Sequence, residues 1–439
     1  MPEVIFLDPH ATTVQRCARC GGTHPEADAS DECAECGGLF DVLHAPPDVF
    51  GAALLTRFAQ RRGTHPGSEA SGVWQFRELV MPGPAALVSH PEGHTPLVER
   101  ESVRAYTGAA SLLMKHEGHN PTGSFKDRGM TVALTQARRI GARAVACAST
   151  GNTSASLAAY AAQAGIPALV LVPRGRIAMG KLTQAIAYGA RTVLVNADFD
   201  ACLRLARDAS RELGVYLVNS INPWRIEGQK TIVFELLQQL GWNPPDWIAL
   251  PAGALGNTSA FGKALREAFA LGLIARVPRL LAVQADGAAP FARAFEGGFA
   301  TRERVQAETI ASAIRIGDPA SWDRAVRAIR ETNGVVTSVS DAAILEAKAV
   351  VDASGVGCEP ASAASVAGVR QMRERGVIGA RERVVAVLTG HLLKDPDAVM
   401  AWHLAPEPDA RRNAPVEIEG TLAEVADILR RASQRGPRA

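Results

Sequence analysis

The chain has 439 residues, 47% hydrophobic and 21% charged, and its 47 basic against 45 acidic side chains leave a formal net charge of +2. That balance carries no footprint for nucleic acid or an acidic membrane, and an aromatic content of 5% offers no stacking platform for bases. Apolar runs such as Ala168 to Val172 are too short to span a bilayer and Met1-Pro2-Glu3-Val4 lacks a secretory layout, so a cytoplasmic enzyme of two or three domains is expected.

Four of the seven cysteines lie near the N-terminus. Cys17-Ala-Arg-Cys20 and Cys33-Ala-Glu-Cys36 are separated by twelve residues, and each pair is followed by Gly-Gly. Two thiolates at this spacing bind one metal ion from a tight knuckle, and the glycine after the second cysteine supplies the positive φ that the knuckle needs. Two knuckles complete a tetrahedral site with no open position, which predicts a small ribbon holding a structural Zn2+ on Cys17, Cys20, Cys33 and Cys36. A disulfide pairing is the alternative, disfavoured in a reducing compartment. Cys147, Cys202 and Cys358 stand among apolar neighbours and read as buried structural thiols.

A stretch punctuated by Pro, Gly and Ser follows from Ala45 to Gly93, with a helical patch at Gly51 to Leu55. From residue 112 strands and helices alternate. Leu112 to Lys115 reads as a strand, followed by a turn-rich segment and a helix over Met130 to Arg138. Ala142 to Cys147, Ala168 to Val172 and Thr192 to Val195 read as buried strands, separated by helices at Thr153 to Ala164 and Gly180 to Tyr188. The pattern resumes at Trp247 to Leu250, Leu280 to Val283 and Val384 to Leu388, and an amphipathic helix is expected at Leu422 to Leu429. Repeated βα units of this kind predict an α/β protein with doubly wound sheets.

Three strand-to-helix junctions and one strand end carry the chemistry. Pro121-Thr122-Gly123-Ser124-Phe125-Lys126-Asp127-Arg128-Gly129 places Lys126 on the first turn of a helix, at the strand end where open α/β sheets bind ligands. Ser149-Thr150-Gly151-Asn152-Thr153-Ser154 is a helix start lined with hydroxyls, suited to a carboxylate. Pro251-Ala252-Gly253-Ala254-Leu255-Gly256-Asn257-Thr258-Ser259 is a glycine-rich turn whose N–H groups can converge on a phosphate. Leu388-Thr389-Gly390-His391 closes the last core strand. His116 and His119 flank the lysine loop with a spacing that suits local hydrogen bonding better than a metal.

Together these segments resemble the fold-type II pyridoxal phosphate enzymes, and over about residues 93 to 403 the resemblance is to the threonine synthases. Asp127-Arg128-Gly129, the segment Asn219-Ser220-Ile221-Asn222-Pro223-Trp224-Arg225 and the stretch Ala311 to Trp322 carry the finer match. The resemblance implies two doubly wound αβα domains behind the ribbon. Residues 1–45 would be the ribbon, 46–118 with 226–439 a large cofactor-binding domain, and 119–225 a smaller domain carrying the lysine. It implies pyridoxal 5'-phosphate as cofactor, with Lys126 as its Schiff-base lysine and proton carrier. Gly253, Ala254, Leu255, Gly256 and Asn257 would hold the cofactor phosphate, Asn152 the ring oxygen and Thr389 the ring nitrogen.

Ser149, Thr150 and Thr153 would hold the substrate carboxylate. Lys181, Asn219, Ser220 and Arg225 would hold a second phosphate, that of O-phospho-L-homoserine, a dianion that a guanidinium matches well. Glu359-Pro360-Ala361-Ser362 is expected in a supporting shell, and Arg128 is the expected cationic neighbour of Lys126. A small-molecule substrate and a homodimer complete the expectation. Ala254 and Leu392 depart from the family pattern. They leave open a paralogue acting on another phosphorylated amino acid, such as cysteate synthase on phosphoserine. A serine/threonine dehydratase would have no use for a second phosphate site, and a degenerate, non-catalytic zinc-binding module is the most distant alternative.

Overall fold

The computed structural model describes residues 6–62, 68–83, 85–174, 182–197, 199–406 and 411–434. Lys181 lies outside the described residues, as does the first part of the helix expected at Gly180 to Tyr188.

The N-terminal ribbon is an antiparallel sheet of β1 (Val14–Cys17), β2 (Thr23–Pro25) and β3 (Phe40–Leu43), in the order β2-β1-β3. Its two knuckles are equivalent. Gly21 donates from its N–H to the Cys17 carbonyl at 3.0 Å and Gly37 to the Cys33 carbonyl at 2.8 Å. Both glycines sit at positive φ, 79° and 66°, the conformation a side chain would strain.

The chain then lays down β4 (Leu97–Val98) and β5 (Ser111–His116), and leaves to build β6 (Ala144–Ala148), β7 (Ala168–Pro173), β8 (Arg191–Val195) and β9 (Val215–Leu217). It returns with β10 (Trp247–Pro251), β11 (Arg279–Ala285), β12 (Val335–Val339) and β13 (Arg383–Leu388). The result is a six-stranded sheet, β12-β11-β10-β13-β5-β4, and a four-stranded sheet, β8-β7-β6-β9. All pairs in these two sheets are parallel except β4 with β5.

Strict alternation of side chains feeds a core on each face of both sheets, but the edge strand β8, expected to be buried, leaves Val193 and Leu194 exposed because it has a neighbour on one side only. Ile248, Leu250, Leu280, Ala282, Val385 and Val387 join one core, while Trp247, Ala249, Leu281, Val283, Val384 and Ala386 join another across the sheet. In the smaller sheet Val145, Cys147, Val170 and Val172 face one core and Ala146, Ala148, Leu171 and Leu217 the other. Cys147, Cys202 and Cys358 are buried, as their neighbours predict. β4, β9 and β12 go beyond the strands expected from sequence, and the C-terminal helix extends over Leu422–Gln434. No helix among the described residues is long and apolar enough to cross a membrane.

One helix crossing positions the site. The helix Lys126–Arg139 packs on the helix Pro223–Gln229, and the approach is so close that a Cβ on Gly228 would lie 1.8 Å from the Arg128 carbonyl oxygen. Only glycine fits there.

Candidate active site

The lysine loop leaves β5 through a single turn, Glu117–His119, and is pinned at three points. Asp127 accepts from the Thr122 N–H at 2.7 Å and from its hydroxyl at 2.6 Å, closing the loop on itself. The Phe125 N–H donates to the Thr389 carbonyl at 3.0 Å, and the His391 N–H to the Gly123 carbonyl at 2.9 Å. The loop is thereby tied to the end of β13. Lys126 is half-buried on the first turn of its helix, its Nζ 4.4 Å from the Phe125 ring centroid.

Burial lowers the Lys126 amine to about 7, and the Arg225 guanidinium acts in the same direction against the weaker pull of Glu359. Arg225, not the expected Arg128, is the cationic neighbour. Arg128 is turned into a buried charge cluster instead. It donates to Glu117 at 2.6 and 2.8 Å and to Glu235 at 3.0 and 3.1 Å, and Lys115 also binds Glu235. Its place two residues beyond Lys126 hides this, because helix residues two apart point to nearly opposite sides, about 200° around the axis.

The second loop follows β6. Ser149, Thr150, Gly151, Asn152 and Thr153 are all half-buried, as residues lining a cleft should be. Asn152 starts the helix Asn152–Ala164, and its Nδ2 donates to Glu359 Oε2 at 3.0 Å. Asn219 and Ser220, beyond β9, reach the same rim half-buried. The Asn219 amide is committed to the Ala148 backbone, accepting at 3.0 Å and donating at 3.1 Å, so it joins β9 to β6.

The glycine-rich loop follows β10. Leu255 holds φ 66°, a left-handed conformation costly for a leucine, immediately before the helix Gly256–Ala270. Asn257 Oδ1, Thr258 Oγ1 and the nearby Gln229 Oε1 are buried without a hydrogen-bond partner among the described residues. A Cβ on Gly253 would meet Ile314 Cα at 3.0 Å, so the segment around Ala311 to Trp322 packs over this loop. The Ser321 N–H donates to the Ala254 carbonyl at 3.1 Å, a backbone contact indifferent to the side chain at 254. A strained turn, the backbone N–H groups at the start of a 15-residue helix and the Thr258 hydroxyl, unpartnered among the described residues, are donors that fit an anion, whereas the amide oxygens of Asn257 and Gln229 can only accept.

Thr389, at the end of β13, is buried and donates to Glu359 Oε1 at 3.2 Å; its hydroxyl also lies 3.1 Å from Ser362 Oγ. Glu359 therefore touches both Asn152 and Thr389, a closer part in the site than a supporting shell. Burial raises the pKa of its carboxyl, opposed by the Asn152 hydrogen bond. Leu392 opens a short turn, Leu392–Lys394, and packs against Gly357. His116 bonds the Gly118 N–H at 3.1 Å and the Gly357 carbonyl at 2.8 Å, the local role its spacing suggests.

Arg225 is fully buried behind this cleft. Its Nη1 donates to the Val218 carbonyl at 3.3 Å, while Nε and Nη2 have no partner among the described residues. Burial lowers its pKa to about 10. A buried guanidinium with free donors is costly unless an anion completes it.

A separate cluster lies in the ribbon. The Sγ atoms of Cys17, Cys20, Cys33 and Cys36 lie within 4.8 Å of one another, with Cys17 to Cys36 at 3.4 Å and Cys20 to Cys33 at 3.7 Å. A tetrahedral four-thiolate zinc site needs sulfur separations of about 3.8 Å. All seven cysteines are free of disulfides.

Comparison with known proteins places this geometry among relatives. The family described as "Pyridoxal-phosphate dependent enzyme" matches residues 88–390. The threonine synthase of Methanosarcina acetivorans is 48% identical over 76% of this chain and 82% of its own length. That of Methanocaldococcus jannaschii is 42% identical over 88% and 94%. Among solved structures, threonine synthase from Escherichia coli aligns with a TM-score of 0.65 at 21% identity, covering 94% of each chain, which speaks to the fold.

Proposed function

The chain belongs to the pyridoxal-phosphate dependent enzymes and, within them, to the threonine synthases, and we propose that it converts O-phospho-L-homoserine and water to L-threonine and phosphate. The observation that carries the choice of a phosphorylated substrate is Arg225, a buried guanidinium with two nitrogens unpartnered among the described residues and an electrostatic coupling to Lys126. Bidentate donors of this kind match a phosphate dianion better than any neutral leaving group.

When bound, pyridoxal phosphate supplies an aldehyde that takes up amines covalently and a ring that spreads the charge left when a proton leaves the adjacent carbon. In this reading Lys126 is the amine that holds it, and Gly253, Ala254, Leu255, Gly256 and Asn257 cradle its phosphate. Asn152 meets the ring oxygen and Thr389 the ring nitrogen, both oriented by Glu359. Ser149, Thr150 and Thr153 receive the substrate carboxylate at the start of a helix. Arg225, with Lys181, Asn219 and Ser220, receives the substrate phosphate.

Lys126 would take the α proton, pass it on and, unprotonated again, take a β proton, so that phosphate leaves the γ carbon with the bonding pair; the γ carbon then regains a proton, water adds its hydroxyl at the β carbon, and the α carbon is reprotonated. A base with a pKa near 7 is half unprotonated at neutral pH, which suits repeated proton transfer. A hydroxyl at Thr389, unlike a carboxylate, leaves the ring a moderate electron sink, favouring elimination and replacement.

Structural Zn2+ on the four cysteines, a homodimer, a cytoplasmic setting and the division into 1–45, 46–118 with 226–439, and 119–225 belong to the same proposal. The grouping of β4 and β5 with β10–β13 supports that division. Threonine formation from O-phospho-L-homoserine, set against phosphate release from O-phospho-L-serine, tests the substrate.

A further inference from the structure

Two helices carry the cofactor cradle at their N-termini: Lys126–Arg139 begins at the lysine and Gly256–Ala270 begins at the glycine-rich loop. The ribbon grips both further along. On the first, Glu26, just past β2, takes Arg139 in a two-pronged ion pair, Nη1 to Oε1 at 2.6 Å and Nη2 to Oε2 at 2.8 Å. The Glu26 carbonyl also accepts from Gln136 Nε2 at 2.9 Å. Glu32 pairs with Arg207 of the helix Phe199–Leu213 at 2.9 Å, adding a second hold on the four-stranded side.

On the other side β3 is fastened to the six-stranded unit. The Val42 carbonyl accepts from Lys263 Nζ at 2.6 Å, the Phe40 carbonyl from Arg324 Nη1 at 2.8 Å, and Asp41 pairs with Arg327 at 2.5 Å. Lys263 is bonded in turn to Glu227, two residues from Arg225 on the same helix. Lys263 and Arg324 are each 3% exposed, whereas the Arg139 and Glu26 side chains are 36% and 17% exposed. The anchor is buried on one side, and the grip on the Lys126 helix is open to water.

We propose that the ribbon is a strap joining the two sheets, and that Glu26 is a positioning residue that sets Lys126 against the glycine-rich loop. The inference rests on the reading of that loop and Lys126 as a cofactor site. A helix of 14 residues is a stiff rod of about 21 Å, so a shift at Arg139 is delivered to Lys126 at its other end. The lysine must meet a carbon whose position is fixed by the other helix, and small misplacements of reacting groups are expensive. Because β1, β2 and β3 form one sheet, the two grips cannot move independently.

The test uses the holoenzyme with Glu26→Gln, Arg139→Gln and the charge-swapped pair Glu26→Arg with Arg139→Glu. Visible circular dichroism of the cofactor band, kcat, KM and thermal midpoint are measured for each. The strap predicts an altered cofactor band and a kcat lower by about two- to five-fold in each single variant, the scale of a partly exposed ion pair, with KM changed less and the swapped pair restored. Unchanged kcat and cofactor band in both single variants, whatever the thermal midpoint does, would overturn it and leave the ribbon a brace. A wild-type protein with no cofactor band after incubation with pyridoxal phosphate would sink the reading of the site, and the strap with it. The wild-type spectrum thus separates the two failures.

Discussion

Asn152 Nδ2 and Glu359 Oε2 meet at 3.0 Å, a hydrogen bond between residues 207 positions apart that joins the loop after β6 to the start of the helix Pro360–Glu374. The other oxygen of Glu359 accepts from Thr389 at 3.2 Å. One buried carboxyl therefore orients the two side chains assigned to the ring nitrogen and the ring oxygen of the cofactor.

Removing that carboxyl should leave both partners loose. Glu359→Ala is expected to lower kcat/KM by about 10- to 100-fold, the cost of unpairing buried hydrogen-bond groups, and to speed cofactor loss on dialysis. Glu359→Gln, which keeps an acceptor for Asn152, should retain most of both. Kinetics and cofactor absorbance after dialysis give the answer, and an Ala variant equal to the wild type would remove Glu359 from the site.

Lys126 supplies a pH dependence with a definite sign. Burial and Arg225 lower its amine to about 7, so the unprotonated base accumulates as pH rises through that value. The acid limb of kcat should fall near pH 7, and Lys126→Ala should abolish both turnover and the borohydride-bleachable chromophore. Arg225→Met removes a charge that lowers the amine, so it should move the acid limb to higher pH. A limb that stays in place in this variant would mean the two groups are not coupled.

Arg225 can also be separated from a structural arginine. A buried cation without an acidic partner weakens the empty protein, so Arg225→Met should hold or raise the thermal midpoint while raising KM for the phosphorylated substrate. The loss in kcat/KM is expected to be about 10- to 100-fold, the worth of charge-assisted hydrogen bonds. A lower midpoint with unchanged KM would assign Arg225 to packing.

These contrasts show what was legible in the sequence. The Lys126 turn, the Asn152 loop, the glycine-rich loop and the paired cysteines are local patterns, each written in fewer than ten consecutive residues. Most strands buried on both faces announced themselves as apolar runs, but the run Thr192 to Val195 forms the exposed edge strand β8, and β9, three residues long, gave too short a signal to read. Glu359 stood out only as part of a family-like stretch, because its contacts to Asn152 and Thr389 are made by the fold. The same is true of Arg225 replacing Arg128 beside Lys126, and of Glu26 reaching Arg139 across 113 positions.

The ribbon makes its own prediction. Metal analysis of the purified chain should find about one zinc per chain, abolished by Cys17→Ser, because four thiolates at these separations complete a tetrahedral shell. Native protein free of metal would contradict the site. Chelation should lower the thermal midpoint, since metal-binding free energy is folding free energy in small ribbons.

The central claim is tested most directly by incubating the holoenzyme with O-phospho-L-homoserine in 18O-labelled water and following both products by mass spectrometry and phosphate assay. The account predicts threonine and phosphate in equal amounts, with the label in the β-hydroxyl of threonine. No threonine from this substrate, with phosphate released instead from O-phospho-L-serine, would contradict it.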